Sequence, residues 1–317
     1  MRVLVMGAGA IGSVAGGMLA RDGHQVHLVG RPAHMEAVRR EGLLISGLWG
    51  QHRVGGLGAY PSVAEVPPED FAVVLIATKT YDTREAASAV APLMGSHTLV
   101  ASLQNGLGNA EIIAGCVGRE RTLAARVMYG VELTAPGRAE VTVQGGELML
   151  GNPWGVVPRE RVESLAGDFS RAGIAARATD QIVGFLWGKL LYNCCLNPLS
   201  ALLRVSYGRL GEMEATRQVM SRVIAEVFAV AAAHGVALFW SRPQEYEEVL
   251  LGQLIPATAP HYASMYADLQ RGKRTEIESL NGAVVRLGEE RGVPTPENLL
   301  LTRLVRAREE MDRAAKR

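Results

Sequence analysis

The amino-acid sequence predicts an α/β protein, with a doubly wound parallel sheet in the first part of the chain and helices alone in the rest. Three observations lead there. Short apolar strands alternate with helical stretches through the first third of the 317 residues, the pattern of a parallel sheet covered by helices on both faces. A glycine-rich turn joins the first strand to the first helix. Beyond about Thr179 strand-like segments cease and helical periodicity takes over.

The elements follow in order. Residues 2–6 read as a strand, 11–21 as a helix and 24–29 as a second strand. Residues 71–77 form a continuous apolar run, as a strand buried on both faces should. A helix over 83–93 and a strand over 98–103 extend the alternation. Between 126 and 151, strand-like segments are separated by the turn signals Pro136-Gly137 and Gly145-Gly146, which implies an antiparallel hairpin finishing the first domain. A helix over 162–172 and a short edge strand over 175–178 come next. Helices are then expected over 181–197, 211–234, 244–251, 262–271, 276–291 and 297–314. Gly235 stands where a C-cap glycine would, and Thr295-Pro296 where an N-cap and first helical residue would. The boundary is placed near residue 178, giving domains 1–178 and 179–317.

Composition excludes several classes. Lys plus Arg number 33 against 32 for Asp plus Glu, so net charge +1 points to neither nucleic acid nor a membrane surface. The three cysteines, Cys116, Cys194 and Cys195, make no disulfide framework and fit a reducing, cytoplasmic compartment. No Cys/His spacing resembles a metal site. Residues 1–20 are apolar, but they divide into a β-branched strand and a glycine turn, unlike a signal peptide. No apolar run reaches the roughly 18 residues of a membrane span.

Gly7-Ala8-Gly9-Ala10-Ile11-Gly12 lies between a strand and a helix. In that context the pattern reads as the phosphate loop of a Rossmann fold. Gly7 allows the tight turn, Gly9 a close backbone approach to pyrophosphate, and Gly12 close packing of helix on strand. The alternative is a packing turn only. An NAD site usually has an acid at the end of the second strand, to hold the ribose 2′-hydroxyl. Here the residues are Leu28-Val29-Gly30-Arg31. A guanidinium suits a 2′-phosphate, so NADP is favoured over NAD, unless Arg31 is merely solvated.

Lys189, Asn193 and Asn197 are four residues apart and share one face of an otherwise apolar helix. Buried polar groups need partners, and a polar ligand could supply them. A lysine beside a keto group can donate a proton as alkoxide forms. The alternative is a solvent-facing stripe. Ser264 and the segment Thr275-Glu276-Ile277 come later, where Glu276 could simply open a helix.

Taken with Lys79 in Ala77-Thr78-Lys79-Thr80 and with Gln104-Asn105-Gly106, these segments resemble the ketopantoate reductase (2-dehydropantoate 2-reductase) family, in the family's order and over nearly the whole chain. The resemblance implies NADPH-dependent reduction of ketopantoate to pantoate, for pantothenate and coenzyme A synthesis. It implies that Gly7, Ala8, Gly9, Ala10, Ile11 and Gly12 bind the pyrophosphate, with Arg31 and Lys79 near the adenosine side. Asn105 would lie close to both nicotinamide and substrate. Lys189 would be the general acid, Asn193 and Asn197 would bind substrate, and Ser264 would meet its carboxylate. Glu276 would order the closed site through cofactor or substrate. One departure is Tyr207 before Gly208, where some members carry a substrate-contacting Asn. Two other functions remain open: a paralogue reducing another small 2-keto acid, or a non-catalytic NADP sensor. The helical half also has apolar surface enough for a homodimer.

Overall fold

The computed structural model describes residues 1–314. The chain forms two compact units: residues 1–104 with 109–182, and residues 105–108 with the chain from Val183 onward. The sequence reading has a single cut near 178; the contact pattern has in addition a four-residue excursion, Asn105–Gly108.

The first unit runs β1 (Arg2–Met6), α1 (Ala10–Arg21), β2 (Gln25–Val29), α2 (Pro32–Glu41), β3 (Leu43–Gly47), β4 (His52–Val54), β5 (Gly58–Tyr60), β6 (Val73–Ile76), α3 (Thr83–Val90), β7 (Leu99–Ser102), α4 (Asn109–Val117), β8 (Thr122–Arg126), β9 (Tyr129–Ala135), β10 (Arg138–Gln144), β11 (Leu148–Gly151), α5 (Arg159–Arg171) and β12 (Ala176–Ala178). Its main sheet has the order β12-β11-β8-β7-β6-β1-β2-β5. All neighbours are parallel except β8 and β11.

Strand periodicity sorts the side chains. Val3, Val5, Val73 and Leu75 join the core that holds α1 and α5. Leu4, Val74 and Ile76 join the opposite core with α3 and Ile113 of α4. With both faces covered, the strands read as unbroken apolar runs.

The hairpin expected to finish the domain is β9 and β10, turning at Pro136-Gly137, where Gly137 has φ +72°. It does not stand alone. It joins β3 and β4, which the sequence reading left unassigned, in a second sheet of order β4-β3-β10-β9. This sheet packs on α1 from the side away from the main sheet. A Cβ on Gly16 would meet Leu28 of the main sheet at 2.6 Å, and one on Gly17 would meet Leu43 of the second at 2.7 Å. Adjacent glycines thus let one helix be sandwiched closely between two sheets.

The second unit is helical: α6 (Ile182–Leu203, its first residue in the first unit), α7 (Tyr207–Glu212), α8 (Glu214–Ala233), α9 (Pro243–Val249), a π-helical turn (Leu250–Leu254), α10 (Ile255–Ala257), α11 (Ser264–Gln270), α12 (Asn281–Arg291) and α13 (Pro296–Ala314). Among the described residues no helix is long and apolar enough to cross a membrane.

Two expectations need correction here. The helix expected to stop at Asn197 continues through Pro198 to Leu203. Pro198 has no N–H to give to the Cys194 carbonyl, and Asn281 Nδ2 donates to that carbonyl instead, at 3.1 Å. The helix expected from Glu276 begins at Asn281. Residues 277–279 form only a short 3-10 turn, and Leu280 breaks it with φ −102° and ψ −108°.

Candidate functional site

In the first unit the site is built on the turn from β1 to α1. Gly7 has φ +101°, and a Cβ there would lie 2.5 Å from the Thr78 nitrogen. A Cβ on Gly12 would lie 2.3 Å from the Gly7 carbonyl oxygen. Both glycines are therefore demanded by packing against backbone. Gly9 differs, because a Cβ there would meet nothing within 4 Å. The loop is pinned below by Gly7 and Ala8 N–H groups donating to the Val29 carbonyl, at 3.0 and 2.7 Å. No side chain caps α1, and its first turn carries no acid. The uncapped first turn, Ala10-Ile11-Gly12, thus presents N–H groups and the positive helix end beside open space. That arrangement fits a pyrophosphate.

Arg31 follows closely. A Cβ on Gly30 would lie 3.0 Å from the Ala8 Cβ, so the end of β2 abuts the glycine loop. Arg31 is the exposed, extended N-cap residue of α2, with no ion-pair partner among the described residues. Lys79 is half-buried just past β6, at the start of the 3-10 turn Thr80–Asp82. Buried Gln104 ties these pieces together. Its Nε2 donates to the Thr78 carbonyl at 3.0 Å and to Thr83 Oγ at 2.9 Å, while its Oε1 accepts from Ser102 Oγ. The carboxyl ends of β6 and β7 and the start of α3 are locked to the residue that packs on Gly7.

In the second unit the stripe on α6 is present. Asn193 and Asn197 are each only 6% exposed, and Lys189 is half-buried. Asn193 Nδ2 has no hydrogen-bond partner among the described residues. Asn197 Oδ1 accepts from the Tyr207 hydroxyl at 2.9 Å. Tyr207 itself is 2% exposed and stands edge-on to Tyr192 and His261. Burial pushes the Tyr207 phenol far above its ordinary value, so it remains a donor. Its backbone N–H donates to the His261 carbonyl at 2.9 Å.

The remaining candidates are held nearby in chain terms. The Leu107 N–H donates to the Ser279 carbonyl at 3.0 Å, and a Cβ on Gly106 would lie 2.3 Å from that same oxygen. Ser279 Oγ in turn donates to the Glu276 carbonyl at 2.9 Å. Asn105 and Glu276 are thus on two segments fastened to each other. Ser264 is the exposed first residue of α11, and the preceding Ala263 N–H donates to Ser200 Oγ of α6 at 3.2 Å. The segment before Glu276 is anchored by a buried carboxylate that the sequence did not flag: Glu309 accepts from Thr275 N and Oγ, at 2.7 and 2.6 Å. Gly7–Gly12, Arg31 and Lys79 therefore belong to the first unit. Asn105, Lys189, Asn193, Asn197, Ser264 and Glu276 belong to the second.

Residues 3–154 match the family model described as ketopantoate reductase PanE/ApbA, and residues 181–309 match that of its C-terminal region. The chain belongs to the ketopantoate reductase family. It is 38% identical to a 2-dehydropantoate 2-reductase of Aquifex aeolicus, over 98% of this chain and 97% of that one. It is 34% identical to the enzyme of the same name from Pyrococcus horikoshii, with both chains fully covered. Among solved structures it is similar to a PanE/ApbA family ketopantoate reductase from Ralstonia eutropha, with TM-score 0.88, 36% identity, and 99% and 100% of the two chains covered. It is similar as well to a D-mandelate dehydrogenase solved with NADH and anilino(oxo)acetate, with TM-score 0.88, 27% identity and 99% of each chain covered. Within this ketopantoate reductase family chain, Tyr207 is the residue that sequence reasoning marked only as a departure. Its bond to Asn197 ties it directly to the stripe.

Proposed function

We propose that this chain is an oxidoreductase that reduces 2-dehydropantoate to pantoate with NADPH, in the cytoplasm, as a step toward pantothenate and coenzyme A. Residues 1–178 would hold the dinucleotide, and 179–317 the substrate and the acid. The observation that carries this reading is the α6 stripe: a lysine, then a buried amide with an unpartnered Nδ2, then a second buried amide. The family membership gives that stripe its chemistry.

When bound, NADPH supplies a hydride to the keto carbon. The chain's own residues do the rest. The loop from Gly7 to Gly12 receives the pyrophosphate on the N–H groups of Ala10, Ile11 and Gly12, those of Gly7, Ala8 and Gly9 being held by backbone carbonyls, and Arg31 favours the 2′-phosphate because no acid stands at the end of β2. Lys79 adds positive charge on the adenosine side. Lys189 Nζ gives a proton to the oxygen as charge develops on it. Asn193 Nδ2 and Asn197 orient the substrate, Ser264 meets its carboxylate, and Asn105 and Glu276 order the segments fastened together around Ser279. A positioned proton donor is worth roughly a hundredfold to ten-thousandfold in rate.

A second reading is favoured by one contact. The Tyr207 hydroxyl already occupies Asn197 Oδ1, so the pocket differs from one with Asn at that place, and another 2-keto acid is the substrate. The test is NADPH oxidation by the purified protein with ketopantoate, pyruvate, 2-ketoisovalerate and 2-ketobutyrate, with NADH in parallel. Turnover with ketopantoate and NADPH, reduced by about a hundredfold or more in Lys189→Ala, is the expected result. Turnover with a different acid would move the substrate. Tight NADPH binding with no turnover would sink the enzymatic reading and leave a sensor.

A further inference from the structure

We propose that Asn281 is a positioning residue for the Lys189–Asn193–Asn197 stripe: its amide replaces the helical hydrogen bond that Pro198 removes. The inference rests on the reading of that stripe as the reactive one.

Pro198 directly follows Asn197. In a helix its missing N–H would have served the carbonyl four residues earlier, that of Cys194, and its ring crowds that carbonyl. Most helices end or kink at such a point. Here α6 continues to Leu203. Cys194 is fully buried, so water cannot satisfy the orphaned carbonyl. Asn281, at 0% exposure and the first residue of α12, donates Nδ2 to it at 3.1 Å. The other proton of that amide goes to Asn298 Oδ1 at 2.9 Å. Asn298 Nδ2 donates to Glu226 Oε2 at 2.7 Å, and the Glu226 carboxylate accepts the Glu297 and Asn298 N–H groups that open α13. A continuous chain of hydrogen bonds therefore runs from α8 through α13 and α12 into α6. It ends on the peptide between Asn193 and Asn197.

The orientation of the amide supports the assignment. Turned over, Asn281 would set its oxygen against two acceptor oxygens. As placed, its Oδ1 has no partner among the described residues. A fully buried amide that leaves its own oxygen unsatisfied is held for its two donors. Asn281 needs no contact with substrate for this; it acts through the backbone of α6.

The experiment is a double-mutant cycle of wild type, Asn281→Ala, Pro198→Ala and the pair. Alanine at 198 returns the backbone N–H to the helix, so the Cys194 carbonyl no longer needs Asn281, whose remaining bond is to Asn298. Asn281→Ala alone should lower kcat for the 2-keto acid by about tenfold to a hundredfold, lower the melting temperature, and leave NADPH affinity unchanged. In the Pro198→Ala background the kcat loss should largely vanish, and the loss of melting temperature should shrink to the part owed to Asn298 Oδ1. Equal losses in both backgrounds, or wild-type kcat in Asn281→Ala, would overturn the proposal. Where Asn281→Ala alone does not fold, a soluble pair supports it and an insoluble pair overturns it. Where wild type reduces no 2-keto acid, the reading of the stripe has failed. The cycle in melting temperature then decides the brace by itself: coupling upholds it and additivity removes it.

Discussion

The same substitution should do opposite things at two glycines three residues apart. Alanine at Gly12 sets a Cβ 2.3 Å from the Gly7 carbonyl oxygen. Neither backbone can yield without moving β1 or α1, so Gly12→Ala should destabilise the fold by about 1–3 kcal/mol, as overpacking does. Denaturant unfolding checks this. Alanine at Gly9 meets nothing within 4 Å, so Gly9→Ala should unfold like wild type. It should nonetheless weaken NADPH, because the methyl takes the space the pyrophosphate would enter. A fluorescence titration that finds unchanged affinity would mean the nucleotide does not approach the loop there. Residues such as these were legible because their signal is local: a glycine spacing beside a strand, or polar groups four apart on one apolar helix. The Tyr207–Asn197 and Asn281–Cys194 bonds were not. Their partners lie 10 and 87 residues apart, and only tertiary packing brings them together.

At the scale of elements, the strands that could be read are those buried on both faces. β2, β6 and β7 each interrupt polar sequence with a short, largely apolar run, and β1 is marked off by the glycine turn that follows it. The second sheet's β3 and β4, and the main sheet's edge strand β5, escape the reading because they are only three to five residues long and lie among Gly47, Gly50, Gly55, Gly56 and Gly58. No period can establish itself over so few residues. Pro198 misled in the other direction, since proline normally ends a helix, and the donor that rescues α6 comes from another helix. What joins elements at the nucleotide side is Gln104. Its amide satisfies the Thr78 carbonyl and Thr83 Oγ at once. Gln104→Leu would leave the Thr78 carbonyl without that donor, at a cost of about 1–3 kcal/mol. Thr78 packs on Gly7, so the loss should reach the glycine loop. The expected outcome is a lower unfolding midpoint together with weaker NADPH binding. A lower midpoint with unchanged binding would show that the network supports the sheet without shaping the loop.

Across the whole molecule, stability divides by unit, because each has its own apolar core. The first unit also carries a dependence on pH. His24, His27 and His34 are all depressed below the ordinary 6.5, in each case chiefly because burial disfavours the charged ring. The fold therefore binds fewer protons than the unfolded chain just below pH 6.5, and stability must fall as pH drops through that value. His34 is where this can be isolated. Its Nδ1 accepts the Gly137 N–H at 2.9 Å, so the neutral ring carries its proton on Nε2 and gives it to Ser13 Oγ, also at 2.9 Å. One neutral imidazole joins α1, α2 and the turn between β9 and β10. Protonation would aim a second donor at the Gly137 N–H, and the Arg31 charge nearby adds to the penalty. His34→Gln removes the bridge but also removes the titration. At pH 7.5 the variant should melt below wild type, by an amount matching the loss of buried hydrogen bonds, about 1–3 kcal/mol. By pH 5.5 wild type bears the cost of holding His34 neutral while the variant bears none, so the gap between their melting temperatures should narrow. A gap that widens on acidification would mean that His34 is charged in the folded protein, and that the turn at Gly137 is held by some other contact.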